Sequence, residues 1–196
     1  MECCRDNEGK VLLHLARAAI AGALHVPHAA LDIESHMAWL AKPGATFVTL
    51  MQRGELRGCI GSLQASDPLI DDVSRNALSA AFRDPRFAPV TVGELDTTGI
   101  EVSLLSELQP IDFVSEADAL NQLRPHIDGV VFEYGSHRST FLPQIWEDLP
   151  QPRQFLARLK LKARLPENFW SEGVKLSRYT VSKWREADFV KGCVHG

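Results

Sequence analysis

The chain has 196 residues, 45% of them apolar and 23% charged, with a formal net charge of −4. That composition suits an ordinary globular core, as one domain or one domain with a small second lobe, and excludes a disordered chain. A mildly acidic balance excludes a dedicated nucleic-acid binder, and no apolar run reaches the roughly 20 residues that would span a bilayer.

The N-terminus, Met1-Glu2-Cys3-Cys4-Arg5-Asp6, lacks the basic stretch and apolar run of a secretory signal, which predicts a cytoplasmic protein. Cysteines at positions 3, 4, 59 and 193 form no disulfide framework, and only Cys59 lies in patterned sequence, in keeping with a reducing compartment. No Cys-x-x-Cys pair occurs, and His25 and His28 sit beside Pro27, off any regular helix face. These histidines are expected to be solvated loop residues, and no metal site is expected.

In chain order, Val11, Leu12, Leu15, Ala18, Ala19 and Ala23 recur at helical spacing and predict a helix over 9–24. A looser stretch follows around Pro27 and the cluster Met37-Ala38-Trp39-Leu40. Strands over 45–50 and 55–61 flank Arg53-Gly54 and predict a β-hairpin. Asp67 and Pro68 read as N-cap and first-turn proline of a helix from 69 to about 82. Asp84-Pro85-Arg86-Phe87-Ala88-Pro89 makes a stiff loop, because each proline pushes its predecessor out of the helical region.

The alternation of Ile100, Val102 and Leu104 with Glu101 and Ser103 predicts a half-buried strand. Ser115 with Asp118 predicts a capping box for a helix through Arg124. Segments 129–134 and 137–142 bracket Gly135-Ser136 as a second hairpin. A helix is expected over 154–163, a return to the sheet within 174–184, and a frayed tail over 187–196. Hairpins dominate, no βαβ unit with a Gly-rich phosphate loop appears, and the expected fold is α+β, a mostly antiparallel sheet with packed helices.

The chemistry concentrates in Arg57-Gly58-Cys59-Ile60-Gly61-Ser62. Two glycines around a cysteine permit a tight turn or a close approach to a ligand. Period-two alternation puts Arg57 on the same strand face as Cys59, where a guanidinium would favour the thiolate. The backbone N–H groups of Gly61, Ser62 and Leu63 suggest an anion-binding nest. Free cysteine is usually a small core residue, so on spacing alone Cys59 reads as structural ahead of catalytic.

Two further groups carry polar chemistry. Arg138 leaves the second hairpin, and Gln144 and Glu147 enter a helix after Pro143, which suggests a carboxylate or phosphate site; Trp146 also reads as a core plug. Asp84 and Arg86 read either as a loop brace or as ligand-binding residues. Glu101 and Glu133 read as solvated strand-face residues or as a carboxylate pair for acid–base work.

Leu56-Arg57-Gly58-Cys59-Ile60-Gly61-Ser62, Asp84-Pro85-Arg86-Phe87, Ile100-Glu101-Val102-Ser103, Phe141-Leu142-Pro143-Gln144 and Lys160-Leu161-Lys162-Ala163 occur here in the order seen in AMMECR-type domains. The resemblance spans about 47–186, and in bacteria and archaea such domains look like component A of the AmmeMemoRadiSam set. It implies a single α+β domain with a larger and a smaller lobe meeting at a cleft, with 57–62 on the cleft wall. It implies company too: a Memo-like protein related to non-haem iron dioxygenases, and a radical SAM protein. It supplies no settled activity and no known cofactor. Where relatives have Lys-Ala-Gly-Leu this chain has Lys162-Ala163-Arg164-Leu165, which predicts a differently built helix end.

Two functional readings follow from the residues and the resemblance together. In one, Cys59 and Arg57 act on a small molecule, with Glu101 or Glu133 as proton carrier and Gly58, Gly61, Ser62, Asp84, Arg86, Arg138 and Gln144 as ligand-binding residues. In the other, the same surface is a docking module for the two partners and Cys59 is structural.

Overall fold

A computed structural model of the chain describes residues 2–190, with side chains described for 7–189. Helix α1 covers Glu2–Ala23 and α2 Met37–Leu40. Strands β1 (Pro43–Gly44), β2 (Thr46–Gln52), β3 (Glu55–Gly61) and β4 (Asp67–Pro68) precede α3 (Leu69–Phe82). Then come α4 (Val92–Leu95), β5 (Thr98–Leu105), β6 (Gln109–Pro110) and α5 (Glu116–Gln122). The hairpin β7 (Gly129–Tyr134) and β8 (His137–Phe141) leads to α6 (Pro152–Lys162). Strands β9 (Lys175–Tyr179) and β10 (Val181–Arg185) and helix α7 (Glu186–Val190) follow. The fold is α+β, and the pairings β1–β4, β2–β3, β2–β5, β6–β9, β7–β8 and β7–β9 are all antiparallel, as the hairpin-rich sequence predicts.

The chain divides into two compact units, Met1–Leu105 with Ser182–Gly196, and Ser106–Val181. In the larger unit the sheet runs β10-β5-β2-β3. Leu12, Ala16 and Ile20 repeat every four residues along α1 and pack with Val73, Ala77 and Ala80 of α3 on Val48, Leu50, Ile100 and Val102. The expected hairpin is present, and Arg53 and Gly54 take the positive φ values that a two-residue turn between twisted strands requires.

The smaller unit has the sheet β6-β9-β7-β8 and its own core. Trp146 is fully buried there, stacked on Phe155 at 3.8 Å, and its Nε1 donates to the Asp128 carbonyl at 2.7 Å. The core-plug reading of Trp146 therefore describes it.

Several expectations need correction. Asp67 does not cap α3: it sits in β4 against Gly44, and its carboxylate pairs with Arg75 at 2.6 Å. The expected return over 174–184 is two strands in two different sheets. Residues 186–190 are helical rather than frayed, because Glu186 binds Arg17 and the Ile100 N–H; the rest of the expected tail lies outside the described residues. The end of α6 is built in the usual way. Arg164 takes the left-handed conformation at φ +63°, with Arg164 N–H donating to Leu161 O and Leu165 N–H to Lys160 O.

Candidate functional site

The register of the larger sheet assembles the site. Val48 and Leu50 of β2 face α1 and α3, so Thr49 between them faces the other side. Thr49 is paired with Cys59 on β3 and with Glu101 on β5, which sets thiol, hydroxyl and carboxylate in one row across three strands. The Thr49 hydroxyl donates to Cys59 Sγ at 3.2 Å. Glu101 is only 14% exposed; it pairs with Lys183 and, at 3.1 Å, with Arg185, two β10 residues on the same face by period two.

Arg57 does not stand beside the thiol as alternation predicts. Between the pairs Leu50–Gly58 and Met51–Leu56 the register shifts, and Arg57 is the extra residue of that bulge. Its guanidinium binds Glu94 at 3.1 Å and the carbonyls of Ala88 and Pro89 at 2.8 and 3.4 Å. The Arg57 guanidinium, joined by the Thr91 N–H and hydroxyl, holds the Glu94 carboxyl down to about 2.

The guanidinium next to Cys59 is that of Arg86. Strand β3 is the outer strand of its sheet, and the 84–86 loop covers its open edge. The Cys59 N–H donates to Asp84 at 2.9 Å, and Arg86 donates to the Cys59 carbonyl at 3.2 Å. Asp84 and Arg86 also pair with each other at 2.7 Å. The Arg86 contact, then the Cys59 and Arg86 amides, hold the Asp84 carboxyl well below the usual carboxylate range. The brace reading of the loop is thus the one its geometry fits, and the brace is bolted to Cys59.

Gly58 and Gly61 are explained by packing. A Cβ on Gly58 would lie 2.2 Å from the Ala80 carbonyl of α3, and one on Gly61 would lie 2.3 Å from the Phe47 ring. Of the three amides suggested for an anion nest, that of Ser62 is taken up by the sheet, donating to the Thr46 carbonyl at 2.8 Å. Ser62 instead borders a buried polar network, in which Asn76 reaches Ser62 Oγ at 3.1 Å and the Thr46 carbonyl at 3.0 Å. Asp72 accepts from the Thr46 N–H and hydroxyl at 2.8 and 2.7 Å and from Arg75 at 3.0 Å. Neither Asp72 nor Asn76 was singled out in the sequence; their i, i+4 spacing on the apolar face of α3 was the available signal.

Arg138, Gln144 and Glu133 belong to the smaller unit. Arg138 pairs across strands with Glu133 at 3.2 Å, and Gln144 is exposed in the 3₁₀ turn Pro143–Trp146. That turn is too short to supply a helix-dipole anion site. The candidate carboxylates Glu101 and Glu133 lie in different units, each in its own ion pairs. Among the described residues no group of three or more His, Cys, Asp or Glu could hold a metal ion. No helix among them is long and apolar enough to cross a membrane.

The family model AMMECR1 matches residues 13–184. The chain belongs to the AMMECR1 family. Protein MJ0810 of Methanocaldococcus jannaschii is 35% identical over 190 residues, covering 93% of this chain and 92% of its own. A protein of Thermotoga maritima is 38% identical over 141 residues, 71% of this chain and 76% of its own. The crystal structure of the uncharacterized protein PH0010 from Pyrococcus horikoshii superposes with a TM-score of 0.71 at 30% identity, covering 91% of each chain.

Within this AMMECR1 chain, the row can support nucleophilic chemistry at sulfur. A hydroxyl donating to a sulfur stabilises the negative charge that a thiol carries when it attacks an electrophile. Thr49 completes the row and was not singled out in the sequence. Its signal was the alternation Val48-Thr49-Leu50, which marks a polar position on an otherwise apolar strand.

Proposed function

We propose that the row Cys59, Thr49 and Glu101 processes a small electrophilic molecule. Cys59 is the nucleophile, Thr49 steadies the charge on its sulfur, and the thiol proton leaves to solvent, while Glu101 on the far side of Thr49 holds Lys183 and Arg185 in place for the ligand. Lys183 and Arg185 at one end and Arg86 at the other favour an anionic ligand, because each keeps about half of its side chain in solvent. The observation that supports this reading is the shared pairing of Thr49 with Cys59 and Glu101. The Memo-like and radical SAM proteins suggested by the family resemblance belong to the same proposal, as suppliers or users of the ligand.

The test is a mass-spectrometric screen of the full chain for small molecules retained covalently. Adducts are expected on Cys59, absent from Cys59→Ser and reduced in Glu101→Gln. Adducts confined to the other cysteines would reject the reading. A docking role is favoured by one feature, the exposure of Leu56 and Leu63 at either end of β3. In that case Leu56→Asp with Leu63→Asp should abolish binding to a purified Memo-like partner while Cys59→Ser leaves it unchanged.

A further inference from the structure

A cavity of about 390 Å³ lies between α1 and the segment 26–33 of the larger unit. Its walls are mostly apolar, with Leu15, Ala18 and Gly22 from the helix and Val26, Leu31 and Ile33 from the segment. Its two polar side chains are His14 of α1 and His28, whose rings lie 4.6 Å apart and inclined by 35°. His28 is thus an exposed loop residue, as expected, yet its ring lies against that of a helix residue. Among the described residues lining the cavity none is a carboxylate.

The charged groups around the pair are engaged elsewhere. On α1, Lys10 lies over the Phe189 ring and Arg17 binds Glu186. On the segment side, Asp32 accepts from the Glu34 N–H, and His36 contacts Asn7 and Ser35. Burial, and then the neighbouring His28, push the His14 pKa below its ordinary value. Two imidazoles this close do not both hold a proton without a counter-charge.

We propose that this cavity binds a small carboxylic acid with an apolar body, its carboxylate on the His14–His28 pair and its hydrocarbon part against Leu15, Ala18, Val26 and Ile33. The volume falls within the roughly 300–1,000 Å³ typical of small-molecule sites. The carboxylate supplies the charge that the pair lacks, so binding draws a proton onto an imidazole and strengthens as pH falls. A divalent cation would show the reverse dependence, because it needs both imidazoles neutral.

The experiment titrates the full chain with phenylacetate, reading the histidine ring signals by NMR, at about pH 6 and about pH 7.5. Binding is expected to be roughly three- to tenfold tighter at the lower pH, a one-proton linkage. Phenylacetamide should bind at least several-fold more weakly. His14→Gln and His28→Gln should remove the pH dependence, and Ala18→Leu, which fills the cavity from the half-buried helix wall, should remove binding with the helix signal in circular dichroism intact. Equal affinity for acid and amide would overturn the proposal. So would no ring shift at millimolar phenylacetate, or tight binding of Zn²⁺ alone that strengthens with rising pH.

Discussion

Arg164 holds φ +63° at the end of α6, a conformation that costs an L-residue about 1–2 kcal/mol and glycine almost nothing. Arg164→Gly is therefore expected to raise stability by about 0.5–1 kcal/mol, after allowing for glycine's freer unfolded chain. Urea unfolding followed by circular dichroism would show it as a higher midpoint at unchanged slope, and a lower midpoint would contradict it. The cap is built from backbone hydrogen bonds that do not require glycine, which is why the sequence change at 164 alters its cost but not its form. Thr49 shows the opposite situation. Alternation marks it only as a polar position on its strand, and it gains its meaning through the two residues paired with it.

At the scale of elements, β3 is an edge strand held by side chains rather than by a further strand. Asp84→Asn keeps the shape but weakens both the Arg86 pair and the acceptor for the Cys59 N–H. It should cost about 1–3 kcal/mol, and the Cys59 amide should exchange with solvent faster than its neighbours do. Unchanged exchange at Cys59 would contradict the clamp. Glu94, in the clamp that holds Arg57, has a carboxyl lowered from 4.5 to about 2. A depressed carboxylate stabilises the fold above its unfolded value and loses that contribution as pH falls through its folded one. Glu94→Gln should therefore be less stable than the parent near neutral pH, with the gap closing between about pH 4.5 and 2 in acid-unfolding curves. Local signals made the two hairpins, the span of α3 and most of α6 legible in the sequence. The bulge at Arg57 was not, because an extra residue is visible only against the strand opposite it, and the bulge is what sends Arg57 to Glu94 instead of to Cys59.

At the scale of the whole molecule, two separate hydrophobic clusters stand behind the two units. Residues 106–181 are continuous in sequence, with a core around Trp146, Phe132 and Phe155 that meets the minimum for a small independent domain. Expressed alone, they should unfold cooperatively with native-like near-UV signal from Trp146; a fragment without that signal would contradict independent folding. The split into two sheets was hidden because 174–184 reads as one β-rich stretch, whereas its two halves join strands far apart in sequence. The candidate row was hidden for the same reason: positions 49, 59 and 101 become neighbours only through pairing. The claim that Cys59 is a working thiol in that row is tested most directly by its alkylation rate in the folded chain, followed residue by residue with iodoacetamide and mass spectrometry. Cys59 is expected to be modified under native conditions, several-fold more slowly in Thr49→Val, in which the hydroxyl that steadies the sulfur is gone. Modification only after unfolding, or a rate indifferent to Thr49, would contradict it.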